Sequence, residues 1–562
     1  MAKPLLTTTI SAPGFLGINT QESSVDLSSG YALEAYNCVI DKFGRIGARK
    51  GWVKQNSSTN VDLDEQDIQF IFELPETGTV IVGGQDSADP TNKALLLTWD
   101  GTTLATAVQD GASSGVRNDA DSADVTYSIS SSNWSASSIV YGEGPDIKPH
   151  AYLAQANHLP LVYHQLGASH AHTGSYGFNR LMDCGSVPST YASASDFKPN
   201  VVLGAYGRTW WADITNDEQT VYFSALLDGS NLSTGDSGYL SLVDVFPNGD
   251  QVVGLAAHNG FLIIFGKRNI AIYANPIDVT QLTLVDLITN VGCIARDSIV
   301  NTGTDVMFLS DTGVRSIARV IQEKSAPIND ISFNIRDDLV SFVDSESNKE
   351  KIKAAYYPRD AFYILTVPTS KYVFCFDLRA RLQNGAARAT IWDSIEPTAL
   401  HVTYTGDLLI GKGGYLGKYT GYLDNTSTYK LRYYTNHFDL GSPTSLKFLK
   451  KANFTVIGGV GQDVFIKYGF DYVASYLDIR KSLSAGSVSE YNARDSLGNA
   501  LYEYNDTVAP IAEYSSGLAL EEVRSNLGGS GSIIQLGFEA DINQNPLSIQ
   551  KIDVYVKAGK TV

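Results

Sequence analysis

Through the middle of the chain, apolar runs alternate with short polar turns, and the pair returns at a near-constant interval. TWWADITNDEQTVYFS from Thr209, LAAHNGFLIIFGKRNIAIY from Leu255 and IVNTGTDVMFLSDTGVRSIARV from Ile299 share the pattern. AAYYPRDAFYILTVPTSKYVFCFDLR from Ala354 and HVTYTGDLLIGKGGYLGKYTG from His401 continue it, with starts 44 to 55 residues apart. Each unit has an apolar run, a turn rich in Gly, Asp or Asn, and a second run. Runs this short, bounded by turn residues, predict strands. A period of this length without long helices predicts a β-propeller, one blade per unit. IQFIFELPETGTVIVGGQ with ALLLTWDGTTLATA, and AYLAQANHLPLVYH at 151–164, add two earlier sets. Seven repeats predict six or seven blades.

The flanks read differently. Residues 1–60 form an N-terminal arm and hairpin: 7–14 extended, 28–39 a helix or coil packed on the ring, and DKFGRIGARKGW at 41–52 a hairpin turning at Phe-Gly. The propeller is expected over 61–425, with a polar surface insertion at about 108–138. Ile331, Ile335, Leu339 and Phe342 recur at helical spacing and predict one helix, capped by Asn329 or Asp330. Beyond Tyr422 the strands lengthen, at 429–438, 447–457, 463–472 and 531–557. A C-terminal β domain over 426–562 follows, with 482–528 a polar loop or docking arm. The fold class is all-β.

Composition agrees, with 31 Tyr, 22 Phe and 50 Gly among 562 residues. The formal charge, 42 basic against 60 acidic residues, is −18. A chain this acidic does not grip nucleic acid by neutralising phosphates; acidity fits solubility, a cationic partner, or a wall to which DNA must not adhere. Cys38, Cys184, Cys293 and Cys375 form no CxxC pair, which points to reduced, buried thiols. The first 15 residues lack the apolar stretch of a signal peptide, and GFLIIFG at 260–266 is too short to cross a membrane. The expectation is a chain made in the cytoplasm without a cleaved leader and without membrane insertion.

Candidate chemistry is sparse. His158, His164, His170 and His172 cluster in sequence, but no second half of a ligand set accompanies them, so surface histidines are the plainer reading. Asp119, Asp121 and Asp124 lack the Gly and terminal Glu of a calcium loop and read as a solvated acidic loop. Ser310–Gly313 departs from the Asp-box of sialidase-type propellers, and Trp99–Asp100 and Trp392–Asp393 have no Gly-His partner; all read as turns. The Gly-rich stretches at 411–414 and 458–461 match no phosphate-binding loop. No GxSxG, HExxH or kinase motif is present, and no carboxylate pair stands out for glycosidase work. No catalytic, cofactor or metal residue is therefore assigned.

GINTQ at 17–21 and AYNCVIDKFGRIGARKGW at 35–52 resemble the start of tail nozzle proteins of short-tailed bacteriophages (tail tubular protein B type). GRTWWAD…TVYFSALLDG from Gly207, LAAHNGFLIIFGKRNIAIY, and KFLKKANFTVIGG…VFIKYGFDY are similar to later parts of such proteins. The resemblance runs over most of the chain and rests on structural motifs. It implies a non-enzymatic virion protein: a homo-oligomer, a hexameric ring, below the portal and tail adaptor protein. Such a ring carries tail fibres and encloses the channel through which double-stranded DNA passes without specific binding. Six copies would carry six times −18, a formal −108, which repels phosphate if part of it lines the channel. The basic clusters Lys42, Arg45, Arg49, Lys50 and Arg432, Lys447, Lys450, Lys451 could meet acidic partners or form solvated faces. The rival readings are a propeller-type glycan depolymerase and a receptor-binding tail protein.

Overall fold

A computed structural model describes residues 5–24, 26–56, 68–75, 77–85, 93–117, 123–141, 148–165, 175–318, 330–442, 444–472, 475–483 and 520–561. The chain divides into two compact units. The propeller unit holds Lys54–Val373 and Glu396–Tyr419; the paired-sheet unit holds Met1–Val53, Phe374–Ile395 and Thr420–Val562.

The propeller is built from short antiparallel strands. Six sheets of three to five strands, and a pair formed by Lys353–Tyr357 and Phe362–Val367, each supply one inner strand. In chain order these are Phe70–Glu73, Ser135–Tyr141, Pro199–Ala205, Val252–His258, Val300–Asn301, Lys353–Tyr357 and Ala399–Val402. From Ser135–Tyr141 onward each lies against the next, and Ala399–Val402 returns to Phe70–Glu73. The ring is fastened by residues that precede the first blade. Gln55 N–H donates to Leu416 O at 2.9 Å, and Leu416 N–H donates to Asn56 Oδ1 at 3.0 Å.

Turn chemistry sets the blade hairpins. Asn259 and Gly260 have φ of 49° and 81° and join strands whose last pair is His258 with Phe261. Two positive φ values in a two-residue loop match the right-handed strand twist, and Asn-Gly is the sequence that tolerates them. The core lies between neighbouring blades. Val201, Trp210 and Phe223 of one pack with Leu255, Leu262 and Ile264 of the next, so each blade buries its apolar face only because another follows it.

The described parts of the polar stretch at 108–138 do not form a surface insertion. Tyr127, Ile129 and Trp134 are buried, and an inner strand begins at Ser135. The serines there serve the adjacent blade: Val202 N–H donates to Ser135 Oγ at 3.1 Å and Gly204 N–H to Ser137 Oγ at 2.8 Å. The expected helix is present as Arg336–Ser345, preceded by a 3-10 turn at Phe333–Ile335. Val343 takes the buried position expected of Phe342, and Ile335, without a side-chain cap, starts the helix.

In the paired-sheet unit, Ser445–Gly458 and Leu547–Thr561 are the long central strands of one sheet. Leu5–Ser11 pairs with Leu547–Thr561, so the first residues form a strand of this sheet and not a separate arm. Residues 28–39 are also not helical. Tyr31–Tyr36 pairs antiparallel with Tyr429–Thr435, which pairs in turn with Ile534–Ile542. Phe454 of the first sheet meets Phe538 of the second with ring centroids 5.4 Å apart. The expected boundaries at 60 and 425 therefore become a unit assembled from both ends of the chain. The hairpin at 41–52 forms as expected, Cys38–Ile40 against Ile46–Ala48.

Gly51 marks the tightest approach in this unit: a Cβ there would lie 1.8 Å from Leu423 O. Gly51→Ala is expected to lower stability by about 3 kcal/mol, the upper end of overpacking costs. A urea melt superimposable on that of the unsubstituted chain would contradict this packing. All four cysteines are buried, and none forms a disulfide. No helix among the described residues is long and apolar enough to cross a membrane.

Candidate functional site

The seven inner strands enclose a cavity of about 300 Å³. Its polar lining includes Gln69, Arg296, Asp297, Lys353 and His401. Arg296 opens a 3-10 turn, Arg296–Ser298, just before an inner strand, and its guanidinium reaches across the bore. Nε and Nη2 donate to the Asp297 carboxylate at 2.7 and 3.1 Å. Nη1 donates to Asn200 O and Oδ1 at 2.8 and 2.9 Å. Nη2 also donates to Trp134 O at 3.1 Å and Asn133 Oδ1 at 3.3 Å. Lys353 Nζ donates to Asp297 and Asn133. Four blades are thus tied by one fan of hydrogen bonds, and the two side chains at its centre, Arg296 and Lys353, are only 10% and 7% exposed.

Burial alone would raise the Asp297 carboxyl, but Arg296 and then Lys353 hold it at about 2. Among the described residues lining the cavity it is the one carboxylate, and it stays ionised at any physiological pH. It cannot serve as a general acid, which needs a pKa near the working pH. His401 accepts from Glu73 N–H through Nε2 at 3.1 Å, and burial pushes its pKa down to about 4, so its imidazole is neutral. The bore is a polar plug of fixed charges.

The paired-sheet unit has its own clasp, made by the residues that carry the phage resemblance. Arg49 is fully buried, and its fork grips Asp424 through Nη1–Oδ1 at 2.8 Å and Nη2–Oδ2 at 2.6 Å. Its Nε donates to Asn37 Oδ1 at 3.2 Å, and its guanidinium lies 4.1 Å from the Tyr429 ring centroid. Asn37, at φ 52°, donates through Nδ2 to Asp393 Oδ1 at 2.6 Å and to Lys430 O at 2.9 Å. Asp41 Oδ1 accepts from Phe43 and Arg45 N–H at the hairpin turn. Trp392 Nε1 donates to Cys38 O at 3.0 Å. Arg49 therefore does not belong to a solvated basic face, and Arg45 is paired with Asp41 at 2.7 Å.

The second basic cluster also separates. Lys447 is 1% exposed, and its Nζ donates to the carbonyls of Ser442, Ser445 and Ser532. Arg432 pairs with Asp393 and lies over the Tyr36 ring. Lys450 and Lys451 lie over Phe448 and Tyr555.

Of the sequence histidines, His164 lies buried beside His150, ring centroids 5.0 Å apart, in a second cavity that also includes Cys184. His158 is half-buried, and burial lowers its pKa. His170 and His172 lie outside the described residues, as do Asp119 and Asp121; Asp124 meets Arg117 at 3.9 Å. Ser310–Gly313 is the hairpin turn expected, with Ser310 opposite Gly313. The fan around Arg296 was not legible in sequence. Its members lie up to 220 residues apart, Asn133 to Lys353, and only the ring brings them together.

Charge is segregated. The propeller unit contains 21 Lys and Arg against 39 Asp and Glu, the entire net −18; the paired-sheet unit balances 21 against 21.

No protein-family model and no curated protein matches the chain. Among solved structures it is similar to the Pan2 WD40 domain of Neurospora crassa at 9% identity and TM-score 0.35, over 66% of this chain and 96% of that one. It is similar to a glycoside hydrolase family 43 arabinoxylan arabinofuranohydrolase from Bacillus subtilis at 8% identity and TM-score 0.25, over 90% and 99%. It is also similar to PorZ of Porphyromonas gingivalis at 12% identity and TM-score 0.36, over 82% and 58%. These likenesses add nothing about chemistry; the strand topology itself defines an all-β chain built on a β-propeller.

Proposed function

We propose that this chain is a structural virion protein, the nozzle subunit of a short-tailed phage tail. In this reading several copies form a ring below a tail adaptor protein, carry tail fibres and enclose the channel through which the genome leaves. The observation that carries it is the role of the resembling stretch at 35–52. In the paired-sheet unit Asn37 and Arg49 join one buried network with Asp393 and Asp424, Gly51 and Trp52 are tightly packed, and Asp41 holds the hairpin turn. A motif spent on holding a scaffold suits an assembly protein and supplies no reaction.

Size and charge favour the same reading. A cavity of about 300 Å³ cannot admit a duplex whose major groove alone is about 12 Å wide. A DNA path therefore has to run between copies and not through a propeller bore. The net −18 falls in one unit of each copy, a charge that repels phosphate. The glycan-hydrolase rival has a specific obstacle in the bore, since Asp297, held ionised by Arg296 and Lys353, has no second carboxyl among the described lining residues to act as the acid.

Native mass spectrometry of the purified chain tests the proposal. A closed ring is expected, with a hexamer near 365 kDa, six times 60.8 kDa. A strictly monomeric protein, absent from phage tails by electron microscopy, would defeat it.

A further inference from the structure

The paired-sheet unit contains a cavity of about 290 Å³ that none of the readings above uses. Strand register builds it: Glu34 stands opposite Tyr434, and Gly469 opposite Gln535. Phe470 and Tyr472, at the end of Asp463–Phe470 and in the turn after it, supply rings, as does Tyr476. His437 completes the wall, its ring centroid 4.9 Å from that of Tyr472.

Three polar groups here can accept a hydrogen bond: the Glu34 carboxylate, the His437 ring and the Tyr476 hydroxyl. The Glu34 carboxylate makes no hydrogen bond among the described residues. His437 Nδ1 is buried without a hydrogen-bond partner among them, and burial lowers the pKa of this histidine, which keeps the ring neutral. Tyr476 Oη donates to Gln535 Oε1 at 2.6 Å and keeps its lone pairs free. Gln535 Nε2 spends one proton on Thr435 O at 3.0 Å. Burial raises the Glu34 carboxyl above the ordinary range, Arg432 offsets part of that rise although it is shared with Asp393, and Glu539 adds to it. Tyr434 and Tyr476 are the other titrating groups within its field.

A ring-walled cavity around a carboxylate whose neighbouring cation is shared with Asp393 calls for a ligand that donates and carries positive charge. We propose that this cavity receives a primary alkylammonium group, of the kind a lysine side chain carries, with Glu34 as counter-ion and the rings of Phe470, Tyr472 and Tyr476 around its methylene stem. Aromatic faces attract cations, and a lysine stem buries apolar surface while its head stays hydrogen-bonded. A primary ammonium carries three N–H donors for acceptors of this kind, and a quaternary one carries none. A sugar needs donors for its ring and hydroxyl oxygens, and the wall offers few. The inference does not depend on ring assembly, because every residue named lies within one unit of one chain.

The test is calorimetric titration of the purified full chain with Nα-acetyl-lysine methylamide, with choline and N-acetylglucosamine as comparators. Saturable binding is expected with a dissociation constant of about 1 mM, weakened about tenfold in Glu34→Gln and several-fold in Tyr472→Ala. Both side chains are exposed, so both variants are expected to melt with the unsubstituted chain. Affinity falls as the pH drops through the Glu34 titration, since protonation removes the counter-ion. The proposal is overturned if the lysine compound does not saturate, if Glu34→Gln binds it unchanged, or if choline or the sugar binds more tightly. Binding by a chain that proves monomeric would leave this inference standing while the nozzle reading fell.

Discussion

Asp297→Asn is expected to destabilise the propeller by about 3–5 kcal/mol, the cost of removing one partner of a buried ion cluster. The carboxylate sits between Arg296 and Lys353, so the amide leaves two cations facing each other without a counter-charge and turns one acceptor oxygen into an NH2 that faces donors. The acid limb of stability separates this from a packing defect. The Asp297 pKa in the folded chain is about 2, below the roughly 3.9 of an unfolded aspartate. A depressed folded pKa gives stability that is fully present above the unfolded value and is lost as pH falls through the folded one. The unsubstituted chain is therefore expected to lose about 2 kcal/mol from this group between about pH 4 and pH 2. Asp297→Asn lacks that step. Urea melts at several pH values, followed by tryptophan fluorescence, read both effects. A variant within about 0.5 kcal/mol of the parent at pH 7, the range of neutral surface changes, would mean the fan does not hold the blades.

Arg49→Met is expected to cost the paired-sheet unit about 3–5 kcal/mol. The Arg49 side chain is 0% exposed and that of Asp424 9%, so the orphaned carboxylate stays in a dry site. Arg49→Lys recovers little, because an ammonium cannot reproduce two parallel bonds to Asp424 together with the bond to Asn37 and the contact with Tyr429. The double variant Arg49→Met/Asp424→Leu is expected to be more stable than Arg49→Met, since it removes the stranded charge. Scanning calorimetry of the three proteins checks the order. A double variant no better than Arg49→Met would assign the loss to packing and not to charge.

Residues of the stretch at 35–52 build this clasp. Asn37, Arg49 and Gly51 each hold a partner hundreds of residues away, at Asp393, Asp424 and Leu423. Their spacing is fixed by a hairpin, but their necessity is fixed by strands that arrive at the other end of the chain.

Where sequence reading failed, long-range pairing had overridden local preference. YALEAY at 31–36 holds good helix formers and becomes a strand because Tyr429–Thr435 supplies its hydrogen bonds. The serine-rich run reaching 138 reads as an insertion because the inner strand Ser135–Tyr141 lines a polar bore and spends its serines on the neighbouring blade. Lys447 and Arg49 read as surface charge because charged residues usually are; carbonyls in one case and a carboxylate in the other compensate their burial.

The sequence by itself determined the blade repeat, the hairpin turns, the buried thiols and the acidity, because each depends on residues near one another or on simple counting. The tertiary structure decided which residues close the ring, which charges are buried and which unit carries the net charge. It also decided that the first and last strands share a sheet. Those outcomes depend on contacts between segments far apart in the chain, and no local pattern records a partner that only folding brings within hydrogen-bond reach.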